Sequence, residues 1–213
     1  MKTMLLAFMG LLLVSGSAWA ADGDGSTVDL VVFGNYYEPD NNVYDESWGA
    51  EVQLRFWMDE VFGLAIAGGY AEWNLNDDIG EDTDIGDLFD FERDGDVALI
   101  PVGASLLFRP VHTERLCLVL EGGVRYVFVD DDVDQDALTP GLAVIRNKVD
   151  IDDGLVAIAM AQLQLNLTDA IFLIAGAGYQ WDIEKGDVDV GGVKVAENEL
   201  ESFVAQAGLG IRF

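Results

Sequence analysis

The sequence predicts an all-β fold, an eight-stranded antiparallel up-and-down transmembrane β-barrel. Three observations predict it. Eight stretches of strand length alternate between apolar residues and small or polar ones. The connections between them are alternately short and long. Aromatic residues recur at the ends of the stretches, on the apolar face.

The stretches cover residues 30–37, 48–58, 61–73, 97–109, 115–129, 155–167, 171–181 and 199–213. Successive side chains of a strand point to opposite faces, so a period of two separates two environments. The last stretch shows it most cleanly. Phe203, Ala205, Ala207, Leu209, Ile211 and Phe213 share one face, and Ser202, Val204, Gln206, Gly208, Gly210 and Arg212 share the other. In the second, Trp48, Ala50, Val52, Leu54 and Phe56 oppose Gly49, Glu51, Gln53, Arg55 and Trp57. In the fifth, Leu116, Leu118, Leu120, Val124, Tyr126 and Phe128 oppose Cys117, Glu121, Gly123 and Arg125, and in the sixth a row of Ala and Leu opposes Gln162, Gln164 and Asn166. The first, third and fourth alternate less cleanly, because both faces are partly apolar or small.

Short turns are expected at residues 59–60, 110–114 and 168–170. Longer loops are expected at 38–47, 74–96, 130–154 and 182–198. All short connections then fall at one end of the strands, as in barrels with short periplasmic turns and long extracellular loops. Trp48 and Phe56 lie eight residues apart on one face, as do Phe62 and Tyr70, and Phe203 and Phe213 lie ten apart. At about 3.3 Å per residue and a tilt of about 40°, such spacings cover roughly 20–25 Å along the membrane normal. That is the height of an apolar band between two aromatic girdles. Tyr179 and Trp181 fit the outer girdle.

The first residues, 1–20, read as a secretory signal peptide. Lys2 is followed by the apolar stretch 4–14 and by a small-x-small cleavage site at Ala18-Trp19-Ala20. That stretch is shorter than the about 20 residues a membrane helix needs. Residues 21–213 are then the barrel domain. The chain is 51% hydrophobic yet carries 39 acidic residues and a formal charge of −28. Apolar strands in lipid and charged loops in water account for both. Nucleic acid is excluded as a partner, since phosphate recognition needs a basic surface. Cys117 is the sole cysteine, so no intramolecular disulfide forms.

Eight strands enclose a space that side chains can fill. The expected interior polar network comprises Glu51, Gln53 and Arg55, then Arg109, Glu121 and Arg125, then Gln162, Gln164, Gln206 and Arg212, with Ser105 and Asn166 beside them. Glycines 49, 63, 103, 123, 176, 178, 208 and 210 share the inward positions and leave room for long side chains. Enclosed charges must be paired. Glu51 with Arg55, and Glu121 with Arg125, put opposite charges on one face. Arg55, Arg109, Arg115, Arg125 and Arg212 are all expected within strands, while the loops are mainly acidic. Cys117 is expected to be an inert small residue on the inner face.

No catalytic constellation emerges. His112, the only histidine, falls at the short-turn end, away from the outer rim, so no enzyme is expected. The loops carry unusual chemistry. Asp77, Asp78, Glu81, Asp82, Asp84 and Asp87 belong to one acidic loop, and Asp130 to Asp132 begin another. Two readings stay open: a solvated rim that limits aggregation, or capture of divalent cations such as calcium, which favour carboxylate oxygens. The spacing does not match a calcium-loop motif. No other cofactor is expected. Around Gly191-Gly192 the alternating residues suit a hairpin. It would extend the last two strands beyond the membrane as a ribbon, and part of residues 142–151 would do the same for the sixth.

The C-terminal run Ala207-Gly-Leu-Gly-Ile-Arg-Phe213 resembles the last strand of small outer-membrane β-barrels, a family that includes the OmpA-type transmembrane domain and the opacity-protein-like adhesins. The resemblance implies that Ala207, Leu209, Ile211 and Phe213 form the signal read by the barrel-assembly machinery. It also implies a place in the cell outer membrane and contact with its lipids. The expected role is structural or surface-interacting (adhesin-like), in a monomer, with a surface ligand or lipopolysaccharide as candidate partners. A narrow channel for ions or small solutes is the alternative. A lipid-modifying enzyme and a soluble ligand-binding barrel follow. The soluble barrel differs by pointing its apolar face inward.

Overall fold

The computed structural model describes residues 27–40, 45–74, 96–130, 149–190 and 193–213. The expected signal peptide at 1–20 lies outside them. So do the candidate cation ligands Asp77, Asp78, Glu81, Asp82, Asp84 and Asp87.

The strands are β1 (Thr27–Pro39), β2 (Ser47–Trp57), β3 (Phe62–Asn74), β4 (Asp96–His112), β5 (Leu116–Asp130), β6 (Val149–Ile151), β7 (Gly154–Asn166), β8 (Ile171–Glu184), β9 (Gly186–Val190), β10 (Val193–Asn198) and β11 (Ser202–Arg212). Eight of them, β1 to β5 with β7, β8 and β11, close into an antiparallel barrel. These are the eight stretches read from the sequence. Closure is made by β11 returning to β1, with Arg212 opposite Asp29 and Ser202 opposite Pro39. It leaves no sheet edge, which a bilayer core requires, since lipid cannot hydrogen-bond an exposed backbone.

The alternation resolves into an apolar outside and a polar-to-mixed inside. Leu64, Ile66, Leu106, Leu120, Val124, Leu163, Leu173 and Leu209 are exposed on the outer wall. Phe203 and Phe213 are exposed with them. A water-soluble ligand-binding barrel has the opposite sense, so that reading falls. Aromatic pairs mark both ends of the wall. Tyr36 packs on Trp48, Tyr126 on Phe128 and Tyr179 on Trp181 at the loop end, and Phe62 stacks on Phe108 at the short-turn end.

Each short turn is closed by one side-chain oxygen. Asp59 Oδ1 accepts from the amides of Val61 and Phe62, both at 2.7 Å. Thr113 Oγ1 accepts from Leu116 N at 2.9 Å, and Thr168 Oγ1 from Ile171 N at 2.9 Å. Aspartate and threonine favour such turns because their oxygens reach the backbone two or three residues on. The turn expected at 110–114 is shorter than the sequence suggested. β4 continues to His112, and a register shift between Phe108 and Val111 absorbs Pro110, which has no N–H to give the ladder. Arg115 is therefore an exposed turn residue and not a strand residue.

The outer hairpin also departs from expectation. β9 and β10 pair around residues 191–192, with Val193 opposite Val190. They do not prolong the barrel ladder, because the pairing of β8 with β11 stops at Gln180 and Ser202. β6 joins β9 rather than extending β7, giving a separate three-stranded sheet in the order β10-β9-β6.

The Asp59 turn yields a pH-dependent prediction. The amides of Phe62 and Val61 hold the Asp59 carboxyl below its ordinary value. Its stabilising effect is present above the unfolded-state pKa and is lost as pH falls through the lower folded value. Replacing Asp59→Ala should lower the urea midpoint of the folded barrel at neutral pH. The two midpoints should converge in acid.

Candidate functional site

The lumen is built in layers, and every strand of the barrel contributes to them. The central layer is charged. Glu51, Gln53 and Arg55 project from β2, Ser105 from β4, Glu121 and Arg125 from β5 and Gln162 from β7, and all are buried. Glu121 is the hub. It accepts from Arg125 Nη2 at 3.0 Å and Gln162 Nε2 at 2.7 Å, and it lies 3.8 Å from Arg55 Nη2. Gln53 Nε2 donates to Glu51 at 2.7 Å and to Glu121 at 3.2 Å, while its Oε1 accepts from Arg55 Nη2 at 2.6 Å. Arg55 Nη2 also donates to Gln162 Oε1 at 2.8 Å, and Arg125 Nη1 to Ser105 Oγ at 2.8 Å.

The pairing is more crossed than the sequence suggests. Glu121 and Arg125 do meet within one strand. Arg55 turns to Glu121 across the barrel, and Glu51 turns to Arg125 at 3.4 Å. Gln53 fills the gap between Glu51 and Arg55. Two guanidinium groups thus face two carboxylates, and the layer is neutral as a set.

A second charged layer closes the short-turn end. Asp29 accepts from Arg212 Nε at 2.9 Å and Trp57 Nε1 at 2.8 Å, with Arg109 Nη2 at 3.9 Å. The Arg109 guanidinium lies over the Trp57 ring, 3.5 Å from its centroid, a cation–π contact. Gln164 is fully buried and donates to Asn166 Oδ1 at 2.8 Å. Cys117 is also buried, with Sγ 3.5 Å from His112 Nδ1, and Arg109 Nη1 reaches the same nitrogen at 3.3 Å. Gln206 is buried higher in the lumen, on β11. Each inward residue expected from the sequence therefore lies on the lumen side. Asp29, the acid of the second layer, lies outside the expected first strand of residues 30–37, because the observed strand begins earlier, at Thr27. The signal was present, since Asp29, Val31, Phe33, Asn35 and Tyr37 continue one face.

Apolar layers separate and cap the charged ones. Val31, Phe33, Phe172 and Ile174 form one cluster, and Trp57, Ala65, Leu107 and Val119 another. At the loop end a larger plug includes Tyr37, Trp73, Val97, Leu99, Val127, Val156, Met160, Val204 and Leu200. Leu200 comes from the segment before β11. Its amide donates to the Asp182 carboxylate at 3.1 Å, and its carbonyl accepts from Gln180 Nε2. The sequence suggested only a polar core.

Glycine makes this filling fit. A Cβ on Gly103 would lie 2.0 Å from Val124 O and 2.8 Å from Arg125 Cδ, and one on Gly210 would lie 2.1 Å from Phe172 Cζ. Among the described residues no group of three or more His, Cys, Asp or Glu is placed to hold a metal. The described contacts of His112 are Arg109 and Cys117, while Ser105 is engaged by Arg125 in the central layer.

No family model matches the chain, and no curated protein matches it. Solved structures do. The outer membrane protein OprG from Pseudomonas aeruginosa superposes with a TM-score of 0.62 at 12% identity, covering 89% of this chain and 96% of that one. A major outer membrane protein from Thermus thermophilus gives 0.62 at 15% identity, covering 89% and 100%. The outer membrane protein AlkL, solved by solid-state NMR in DMPC bilayers, gives 0.50 at 17% identity, covering 91% and 92%. At these identities the likeness is one of fold. The chain has the fold of small outer-membrane β-barrels, with the apolar exterior of such proteins.

Three substitutions test the layered interior. Glu121→Ala leaves Arg55 and Arg125 facing each other without their shared acid. A buried pair broken in this way costs about 3–5 kcal/mol. Unfolding in urea from lipid vesicles should show a loss of that order, whereas Ser105→Ala should cost far less. Gly103→Val drives side-chain atoms into Arg125 and the β5 backbone. It should abolish the compact, heat-modifiable band on a gel, which reports barrel closure.

Proposed function

We propose that the chain is an integral outer-membrane barrel with a structural or surface-interaction (adhesin-like) role, and that its lumen does not conduct. The observation that carries this is the stacking of the interior. A neutral Arg–Glu–Gln layer crosses the lumen from β2 to β5 and β7, with apolar clusters on both sides of it. An ion entering from the loop end meets the plug of Trp73, Leu99 and Val127 before the charged central layer. An ion entering from the other end meets the Asp29–Arg212–Arg109 layer and then Phe33 and Phe172.

In this reading the outer wall contacts membrane lipid. The assembly machinery reads β11 and the adjoining Phe213 through the outward row Ala207, Leu209, Ile211 and Phe213. Partner recognition belongs to the acidic loops, because the barrel offers no open route through its centre. The similar solved structures are those of outer membrane proteins, which agrees with this location.

Planar-bilayer recording tests the closed lumen. Protein verified as folded by its heat-modifiable migration should give no discrete conductance steps in concentrated potassium chloride, the condition that reveals small pores. Regular steps from the folded form would support the narrow-channel reading instead.

A further inference from the structure

Between the central charged layer and the loop-end plug lies a cavity of about 30 Å³. Asn35, Glu51, Gln53, Arg125 and Gln206 contribute its polar lining, and Tyr37 and Met160 adjoin the plug above it. Two atoms there have unmet hydrogen-bonding capacity. Asn35 Oδ1, an acceptor, and Gln206 Nε2, a donor, are buried and have no partner among the described residues. Their side chains are 2% and 7% exposed. Tyr37 Oη lies 3.1 Å from the Asn35 amide and can accept from it or donate to it, so in either orientation of that amide one polar atom is left to be met.

The chemistry of the lining selects the occupant. It must be able both to donate and to accept, so that it meets whichever amide atom each side chain turns to it. It must be uncharged, because Glu51 and Glu121 are already balanced by Arg55 and Arg125. It must also be small. A buried water needs roughly 10–15 Å³ of such volume and two to four polar partners. We propose that the cavity is an internal hydration site. It holds about two water molecules that join Asn35 and Gln206 to the Glu51–Arg125 pair. The polar core then extends one layer farther toward the loops than its direct contacts do. It ends where Tyr37, Met160 and Val204 begin the apolar plug. The site is independent of whether the barrel conducts, and its test does not read conductance.

Radiolytic hydroxyl-radical footprinting of the folded barrel in vesicles tests it, because radicals generated from a bound water oxidise the side chains beside it. Tyr37 and Phe33 form a matched pair. Both are buried inward aromatics of β1, but Tyr37 lines the cavity and Phe33 sits in an apolar cluster. Tyr37 and Met160 should be oxidised several-fold faster than Phe33, after correction for intrinsic reactivity. In a doubly substituted Asn35→Leu, Gln206→Leu barrel the excess should disappear. Equal rates for Tyr37 and Phe33 in the unmodified protein would overturn the proposal without any variant. An excess that survives in the folded double variant would overturn it too.

Discussion

The fold depends on a single constraint: a barrel turned apolar side out must give every charge it encloses a polar or opposite-charge partner. Eight strands leave no room for bulk water to do this. The chain meets the constraint with two charged layers. In the central one, two arginines and two glutamates are interleaved by Gln53 and Gln162, so each carboxylate and guanidinium has at least one close polar partner. In the other, Asp29 takes Arg212, Arg109 and the Trp57 indole together. Such networks are a weak source of net stability, because desolvation offsets most of the attraction. Their consequence is specificity. A one-residue slip of any strand would carry its charges to the lipid face, so the ion pairs fix the register that the turns begin.

How legible this was from the sequence depends on what lies inside each strand. β2, β5, β7 and β11 put Glu, Gln, Arg and Gly inward, so apolar and polar alternate and the faces could be read directly. β1, β3 and β4 blur, and the structure gives the reason. Their inward positions include Val31, Phe33, Trp73, Val97, Leu99 and Leu107, which form the apolar clusters and the plug. The loss of contrast was itself the mark of a lumen with apolar sections, but the hydrophobic pattern alone cannot separate an apolar residue facing lipid from one facing inward. The partners within the polar network were less legible still. Which acid meets which arginine is set by shear and side-chain reach across the barrel, neither of which is written in any one strand.

Glycine links these two levels. The inward glycines looked like spacers for long side chains, and at Gly103 that is what the geometry gives, with Arg125 and the Val124 carbonyl occupying the space of a Cβ. Gly210 plays the same part for Phe172 in an apolar layer. The same residue type therefore serves both kinds of layer. An inward glycine forecasts a large neighbour without saying whether it is charged.

Charge is also sorted along the barrel axis. The arginines of the strands are enclosed, whereas the tyrosines of the loop-end girdle turn their hydroxyls to carboxylates. Tyr70 donates to Glu72, Tyr126 to Asp153 at 3.0 Å, and Tyr179 to Asp40. These acids sit just above the apolar wall, where each phenol has one end in an apolar setting and one end in a polar one. At that level Lys185 is a described cation, and it is held by Glu199 at 2.6 Å. Cations placed inside neutralise what bulk water cannot reach, and acids placed outside remain where water can solvate them. A net charge of −28 is thus compatible with an interior that holds no excess of acid, since among the described residues its four arginines face only Asp29, Glu51 and Glu121.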